Sequence, residues 1–472
     1  MTLLNESFSK TEHDWRIEDF FADESGDPLT NAFHKPIDAH PGSSAKSVAK
    51  NEIDKIFKEI HQRERKVKTC AYVHVPFCES HCLYCGFYRK RYDDAEQSRQ
   101  YADALITDLN IFGNTPCQTK GPVHAVYIGG GTPTALEASD LKRILLALCK
   151  NLPLANDCEI TVEGRIRNFG PKKMEACLEG GANRFSIGVQ TFDTNLRQSM
   201  GRLCAKDEVI KGLIQLSSYD EAAVIIDLIY GFPGQTMEMW ESDIKTLMSL
   251  ELDGADLYQL KILPETPLAK AIEKGKMPGP SDRPQRARMY ARGVEMMDNA
   301  MFRRLTVNHW GRTSRERNIY NHMVKGPSDC LAFGPGAGGN LGGHFFFIES
   351  DYDKWRKAVV EEGRKPVAMM NVLSEYNTVE RTITSELELC RIKPELIGKR
   401  FGLPLAATLA PLFQQWTRAG LMGNIGDWNV LTTAGQFWQV NIAQLTINYL
   451  HHTLFKENYG EYNEKQALLG NA

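Results

Sequence analysis

The sequence predicts an α/β chain centred on six βα units that close into a barrel or a part of one. Three observations carry this. First, six short apolar runs bounded by turn residues recur between residues 70 and 263: "CAYVHVPF", "HAVYIGGG", "CEITVEG", "NRFSIGVQ", "AAVIIDLIYG" and "GADLYQLKIL". Second, the segments between them are long enough for helices, and "SDLKRILLALCKNL" and "MEMWESDIKTLMSL" have helical periodicity. Strands alternating with helices imply a parallel sheet with right-handed crossovers. Third, polar residues that do not suit buried strands gather where the runs end, at Gly129 to Thr132, Glu163, Gln190, Asp227 and Lys261. In a parallel barrel those ends form one face, where active sites sit.

The first run alternates from Ala71 to Val75 and opens into a loop holding Cys78, Cys82 and Cys85. A zinc site needs four ligands, usually as two spaced pairs, and no second Cys or His pair stands nearby; His81 is the residue that can complete four on geometry. The C-x3-C-x2-C spacing instead suits a [4Fe-4S] cluster with thiolates on three irons and an open fourth iron, which would take a substrate or cofactor. Pro76, Phe77 and Tyr84 can shield such a cluster from water.

The second run ends in "GGGTPTAL", where Thr132 and Pro133 read as helix N-cap and first turn. Its glycines either turn the chain or let backbone amides approach a ligand. The third ends on Glu163, a carboxylate that is costly to bury alone and has Arg165 or a cationic ligand as its natural partner. Gln190 and Asp227 end the fourth and fifth. Both serve either as structural hydrogen-bonders or as ligand contacts, and Asp227, interrupting "VIIDLI", would suit a ribose diol or an amine.

The chain of 472 residues, at 42% hydrophobic and 24% charged, can bury large cores, and its length implies two to three domains. The expected organisation is an N-terminal extension (1–66), the βα core (67–300), a bridging segment (301–365) with "TVNHWGRTSRERNIYNHM", and a C-terminal domain (366–472). That last part reads as helix, helix, then a hairpin around "NIGDWNVLT", a winged-helix-like and mainly helical order. A net charge of −3 and no basic recognition face argue against nucleic acid and anionic membranes, so a lid or substrate wall is the expected role. The polar N-terminus lacks an apolar signal region and no stretch approaches the roughly 18 apolar residues of a span. With eleven cysteines expected to be reduced, the cytoplasm is the expected compartment.

The stretch "YVHVPFCESHCLYCGF" resembles the radical S-adenosylmethionine (SAM) enzymes, and within them the coproporphyrinogen III dehydrogenase branch. The resemblance covers residues 67 to 345 closely and the C-terminal region more loosely. It implies a partial (β/α)6 barrel, a [4Fe-4S] cluster on Cys78, Cys82 and Cys85, and two SAM molecules side by side. Positions matching the first, iron-bound SAM are Tyr72, Gly130, Glu163 and the loop "GPGAGG" around Gly338. Those matching the second are Tyr84, Gly131, Thr132, Gln190, Arg202, Asp227 and Lys261.

Three features depart from the dehydrogenase pattern. Phe87 stands where that enzyme has a further cysteine, "VEGRIRNFG" has Arg165 and Arg167 where relatives tend to have a proline, and a long N-terminal extension carries "DPLTNAFHKPIDAHPG". Together they resemble the anaerobic haem-degrading radical SAM methyltransferases. That resemblance implies radical transfer of a carbon from the second SAM to a meso carbon of haem, opening the macrocycle to a methylated linear tetrapyrrole (anaerobilin) and releasing iron. Haem needs flat apolar walls with cationic groups at one edge, for which Arg165, Arg167, Arg89 and Arg91 are candidates. His34, His40, His309 and His322 are candidates for the iron. Expected partners are haem, a flavodoxin-like or other low-potential electron donor, and a haem-supplying or tetrapyrrole-accepting protein. Two other readings remain: a haem-trafficking chaperone, and coproporphyrinogen III dehydrogenation, which Phe87 disfavours.

Overall fold

The computed structural model describes residues 15–37 and 45–455. The described residues divide into two compact units, 45–374 and 15–37 together with 375–455. Residues 45–66 and 301–365 thus fall in the same unit as the βα core, and residues 15–37 fall with the C-terminal region.

Six parallel strands lie side by side in chain order in the larger unit: β1 (Thr69–Val75), β2 (Val123–Gly130), β3 (Leu154–Gly164), β4 (Arg184–Gln190), β5 (Ala223–Tyr230) and β6 (Gly254–Gln259). A helix follows each: α1 (Ala95–Ile111), α2 (Ala138–Asn151), α3 (Pro171–Glu179), α4 (Lys206–Ser217), α5 (Met237–Ser249) and α6 (Arg283–Asn299). The helix starts are written locally. Asp94, Thr236 and Asp282 accept from the backbone N–H groups of Gln97, Met239 and Gln285, and a proline supplies the first turn of α3. The strand interiors are buried on both faces, which is why the runs read as nearly continuous apolar stretches.

The sheet is open and longer than the six units. Beyond β6 it gains β7 (His309–Gly311), antiparallel, and the short strand Arg303–Arg304. On the other side β8 (Asp329–Phe333) runs parallel to β1 and leads into an antiparallel meander, giving a sheet of thirteen strands among the described residues. The bridging segment therefore supplies sheet at both edges. It also supplies α7 (Ile319–Lys325), which seals the end of the sheet where strands begin. Ile319, Tyr320 and Val324 pack against a core of Cys70, Ala125, Met323 and Cys330, and the Glu159 carboxylate accepts the Ile319 and Tyr320 N–H groups at 3.0 and 3.1 Å. Tyr320 reaches inward to stack on Tyr127 at 4.7 Å, with Tyr72 at 6.2 Å.

The smaller unit has the winged-helix order expected from its sequence: helix Asn377–Glu388, strand Arg391–Ile392, helices Pro394–Phe401 and Leu405–Arg418, then the hairpin Met422–Ile425 and Trp428–Leu431. The N-terminal segment is bound into it. The Gln415 amide brackets Ala22, accepting its N–H at 2.9 Å and donating to its carbonyl at 2.7 Å, while the indole N–H groups of Trp416 and Trp438 donate to Phe20 and Pro28. Both tryptophans are buried, and truncation of either to alanine would cost about 3–5 kcal/mol.

Candidate active site

The cysteine loop leaves β1 at Pro76 and is closed like a purse by a two-stranded parallel contact, Phe77–Cys78 against Lys90–Arg91. Arg89 staples it from inside, hydrogen-bonding His81 Nδ1 at 2.8 Å and the Cys85 carbonyl at 3.3 Å. The Leu83 N–H donates to the Met200 carbonyl at 3.1 Å. Gly201, at φ +79°, lies directly against the His81 carbonyl, and a side chain there would collide with it.

Donors converge on the sulfurs. Thr132 Oγ1 lies 3.4 Å from Cys78 Sγ, Arg165 Nη2 reaches the same sulfur at 3.9 Å, and Arg202 Nη1 donates to Cys82 Sγ at 3.3 Å and Tyr84 Oη at 3.3 Å. Burial raises the Cys78 and Cys85 thiols. Burial also works against the Cys82 thiolate, but the Arg202 and Arg165 guanidinium groups outweigh it and hold that thiol below its ordinary range. Thiolates are the form that binds iron.

Of the positions expected at the first SAM, Gly130 and Glu163 meet at the ends of β2 and β3, while Tyr72 lies in the middle of β1. The Gly130 N–H donates to Glu163 Oε2 at 3.3 Å, and a Cβ on Gly129 would sit 2.5 Å from that oxygen. Burial and the nearby Asp227 push the Glu163 carboxyl up to about 8. Tyr72 Oη lies 3.0 Å from His74 Nδ1, a residue that motif reading missed. The His74 ring lies beneath Gly130, where a Cβ would come within 2.6 Å, and burial lowers its pKa to about 4, so it is neutral. Its placement two residues after Tyr72, on the same strand face, was the available signal. In the "GPGAGG" loop, Gly334 and Gly336 make the approach, at φ +88° and +81°, against the His74 carbonyl and Tyr88; Gly338 instead packs on Phe347.

Of the second-SAM positions, Gln190 ends β4 at a register shift with φ +74°, and its Oε1 is buried without a partner. Such strain and an orphaned acceptor beside donors mark a place where a ligand would complete the hydrogen bonding. Gly131 and Thr132 lie beside Cys78, with the Gly131 N–H donating to the Val75 carbonyl at 2.8 Å. Asp227 pairs in register with Asp256 of β6, and burial together with that neighbour raises its carboxyl to about 7. Lys261 follows β6 on the exposed surface.

Several haem-directed expectations change. His309 is fully buried, with Nδ1 2.7 Å from Asp256 Oδ1 and Nε2 2.9 Å from Glu316 Oε1, so both nitrogens are spent on carboxylates and neither is open to iron. Glu316 in turn pairs with buried Arg184 at 2.9 Å. His322 lies on α7, at the end of the sheet opposite the cysteine loop. His34 lies in the smaller unit, and His40 is outside the described residues. Arg89 is a staple and not a free edge charge. Arg165 does face the loop, also donating to the Ser80 carbonyl at 3.2 Å, while Arg167 stands 3.7 Å from Glu79.

Among the described residues, no three His, Cys, Asp or Glu side chains come close enough to hold a single metal ion, and His81 Nδ1 is taken by Arg89. Three separate cysteine sulfurs, with donors or cations facing those of Cys78 and Cys82, fit a cluster in which each sulfur would hold a different iron as a thiolate.

Residues 72–247 match the Radical SAM superfamily. The anaerobilin synthase of Escherichia coli O157:H7 is 41% identical over 406 residues, covering 86% of this chain and 89% of that protein. The chain belongs to the radical SAM superfamily. This radical SAM protein is also 26% identical to the heme chaperone HemW of Bacillus subtilis over 78% of its own length and 96% of the relative's. Its fold matches the coproporphyrinogen III oxidase HemN of Escherichia coli with a TM-score of 0.73, at 22% identity and over 84% and 94% of the two chains. A [4Fe-4S] cluster and SAM are the cofactors of this superfamily. Among the described residues no helix is long and apolar enough to cross a membrane.

Proposed function

We propose that this chain is a C-methyltransferase that opens the haem macrocycle without oxygen, giving a methylated linear tetrapyrrole and releasing iron. The observation that carries the reading is the 41% identity to an anaerobilin synthase over most of both chains, against 26% to a heme chaperone. Phe87, in the place of the dehydrogenase's further cysteine, disfavours coproporphyrinogen dehydrogenation.

In this reading Cys78, Cys82 and Cys85 hold the cluster. When bound, the cluster and SAM supply a 5′-deoxyadenosyl radical, the hydrogen-abstracting agent of the superfamily. Tyr72, Gly130, Glu163 and the loop containing Gly338 would hold the first SAM, with Glu163 as an acceptor for its ammonium group. Tyr84, Gly131, Thr132, Gln190, Arg202, Asp227 and Lys261 hold the second, with the Gln190 Oε1 as acceptor. The buried aromatic Phe77 keeps water from the loop. A low-potential donor such as a flavodoxin supplies electrons, and a haem-supplying or tetrapyrrole-accepting protein serves the substrate. Eleven free cysteines favour the cytoplasm.

The test uses SAM with a fully deuterated methyl group, haem and a strong reductant under anaerobic conditions. One deuterium should appear in 5′-deoxyadenosine and the labelled carbon in an open tetrapyrrole, with iron released. The similarity to a heme chaperone along nearly all of that protein keeps haem carriage as the second reading. Haem returned intact and unlabelled while SAM is cleaved would favour it and end the first.

A further inference from the structure

Beside the cysteine loop, between the ends of β3 and β4, lies a small hollow of about 20 Å³, deep enough for little more than one water-sized group, whose lining includes Ser80, Arg165, Arg167, Arg197, Arg202 and Leu203 and no acidic residue. Four guanidinium groups share one hollow. Arg165 and Arg202 face the Cys78 and Cys82 sulfurs and are partly balanced by them. Arg197 is 3% exposed and bonds only carbonyls, those of Val189, Thr191 and Cys204 at 2.6, 2.7 and 2.9 Å. Its charge is satisfied in hydrogen bonding but not neutralised, and burial with the neighbouring Arg202 lowers its pKa to about 10. Arg202 keeps a buried Nε without a partner. Arg167, with its side chain 45% exposed, has one acidic neighbour, Glu79, at a loose 3.7 Å, and the Glu79 carboxylate is already engaged by the Asn168 amide at 2.6 and 2.7 Å.

Arg197 is a buried charge without a counter-ion, which is costly, and half-exposed Arg167 stands at the mouth, where a planar guanidinium fork is the side chain best suited to a carboxylate. We infer that this cleft is a carboxylate subsite, in which Arg167, backed by Arg165 and Arg197, takes a propionate of the tetrapyrrole substrate. The assignment rests on the haem reading above and adds to it the edge by which the macrocycle is held. It also gives Glu79 a part: its carboxylate competes for Arg167, so the acid in the loop weakens the subsite that the arginine forms.

The experiment is an anaerobic optical titration of the cluster-reconstituted protein with haem and with haem dimethyl ester, whose propionates carry no charge. Wild-type protein should bind the free acid about tenfold or more tightly than the ester, the scale of one charge-assisted hydrogen-bonded contact. Arg167→Gln should erase that preference, Arg167→Lys should retain part of it, and Glu79→Gln should increase it. Equal binding of acid and ester by the wild type, or a preference that survives in Arg167→Gln, would overturn the subsite while leaving the haem reading standing. A wild type that binds neither would end the haem reading itself. A weakened SAM affinity in Arg167→Gln with the haem preference intact would reassign the cleft to the SAM carboxylate and overturn the proposal.

Discussion

Arg202 donates to the Cys82 sulfur at 3.3 Å across 120 residues of chain, and the same nitrogen reaches Tyr84 Oη at 3.3 Å. A cation from the end of β4 is thereby set against one of three thiolates presented by the loop after β1. Burial disfavours the Arg202 charge, yet the phenol and thiol partners raise its pKa overall. The thiolate and the guanidinium each make the other's ionised form cheaper to bury.

Removing that cation should make the cluster harder to reduce. Arg202→Ala is expected to lower the midpoint potential by on the order of 60 mV, the equivalent of about 1.4 kcal/mol for one electron. An EPR-monitored redox titration reads this directly. An unchanged potential in a protein with full iron content would show that Arg202 does not act on the cluster.

Cys78, Cys82 and Cys85 share one loop, while the other eight cysteines are scattered among other elements. Changing all three to alanine should leave almost no iron or sulfide after anaerobic reconstitution. A full cluster in that variant would require different ligands.

The pH dependence of the cofactor-free protein has a definite sign. Glu163 and Asp227 have folded-state values of about 8 and 7, above the ordinary 4.5 and 3.8, so the native state keeps protons that the unfolded chain releases. Their contribution is whole below about pH 4 and is lost as pH rises through 7 and 8. His309, held at about 9 by Asp256 and Glu316 against the opposing effect of burial, loses its contribution as pH rises from 6.5 through 9. All three act in the same direction, each with a slope of at most about 1.4 kcal/mol per pH unit. Thermal melts from pH 5 to 9 should show a falling Tm, flattened at the acidic end by Glu163→Gln; a Tm that rises over that range would contradict these ionisation states.

Gln190 ends β4, whereas Asp227 lies inside β5, in register with Gly188 two residues before Gln190, and the second-SAM reading assigns both to one cofactor. Asp227→Ala should therefore reduce methyl transfer more than reductive cleavage of the first SAM, measured as labelled product against 5′-deoxyadenosine. Equal loss of both, with the cluster retained, would argue against a separate second-cofactor site.

Glu316 joins Arg184 and His309 in a fully buried set. Glu316→Ala leaves two cations without their shared carboxylate and should cost about 3–5 kcal/mol in denaturant unfolding. His309→Gln should leave the haem absorption spectrum unchanged. A shifted Soret band in that variant would restore His309 as an iron ligand.

The six strands, their following helices and the cysteine loop were all legible in the linear chain, because each depends on local periodicity, helix caps or short spacing. Even the winged-helix order of the C-terminal region followed from neighbouring residues. His309 shows where such reading stops: nothing in "TVNHWGRTS" reveals that Asp256 and Glu316 will occupy both of its nitrogens. The same holds for His74 under Gly130, where the deciding contact is a ring against a glycine from the next strand.

By itself, then, the sequence determined the succession of elements and the identity of the sulfur ligands. Only the tertiary structure decided that the sheet stays open and extends to thirteen strands, that residues 15–37 join the C-terminal unit, and that four arginines gather in one cleft beside the loop. The reason is the reach of the forces involved. Backbone propensity and capping act over a few residues, whereas charge pairing and packing select partners by proximity in space, as Arg184 and Glu316 do across 132 positions and Ala22 and Gln415 across 393.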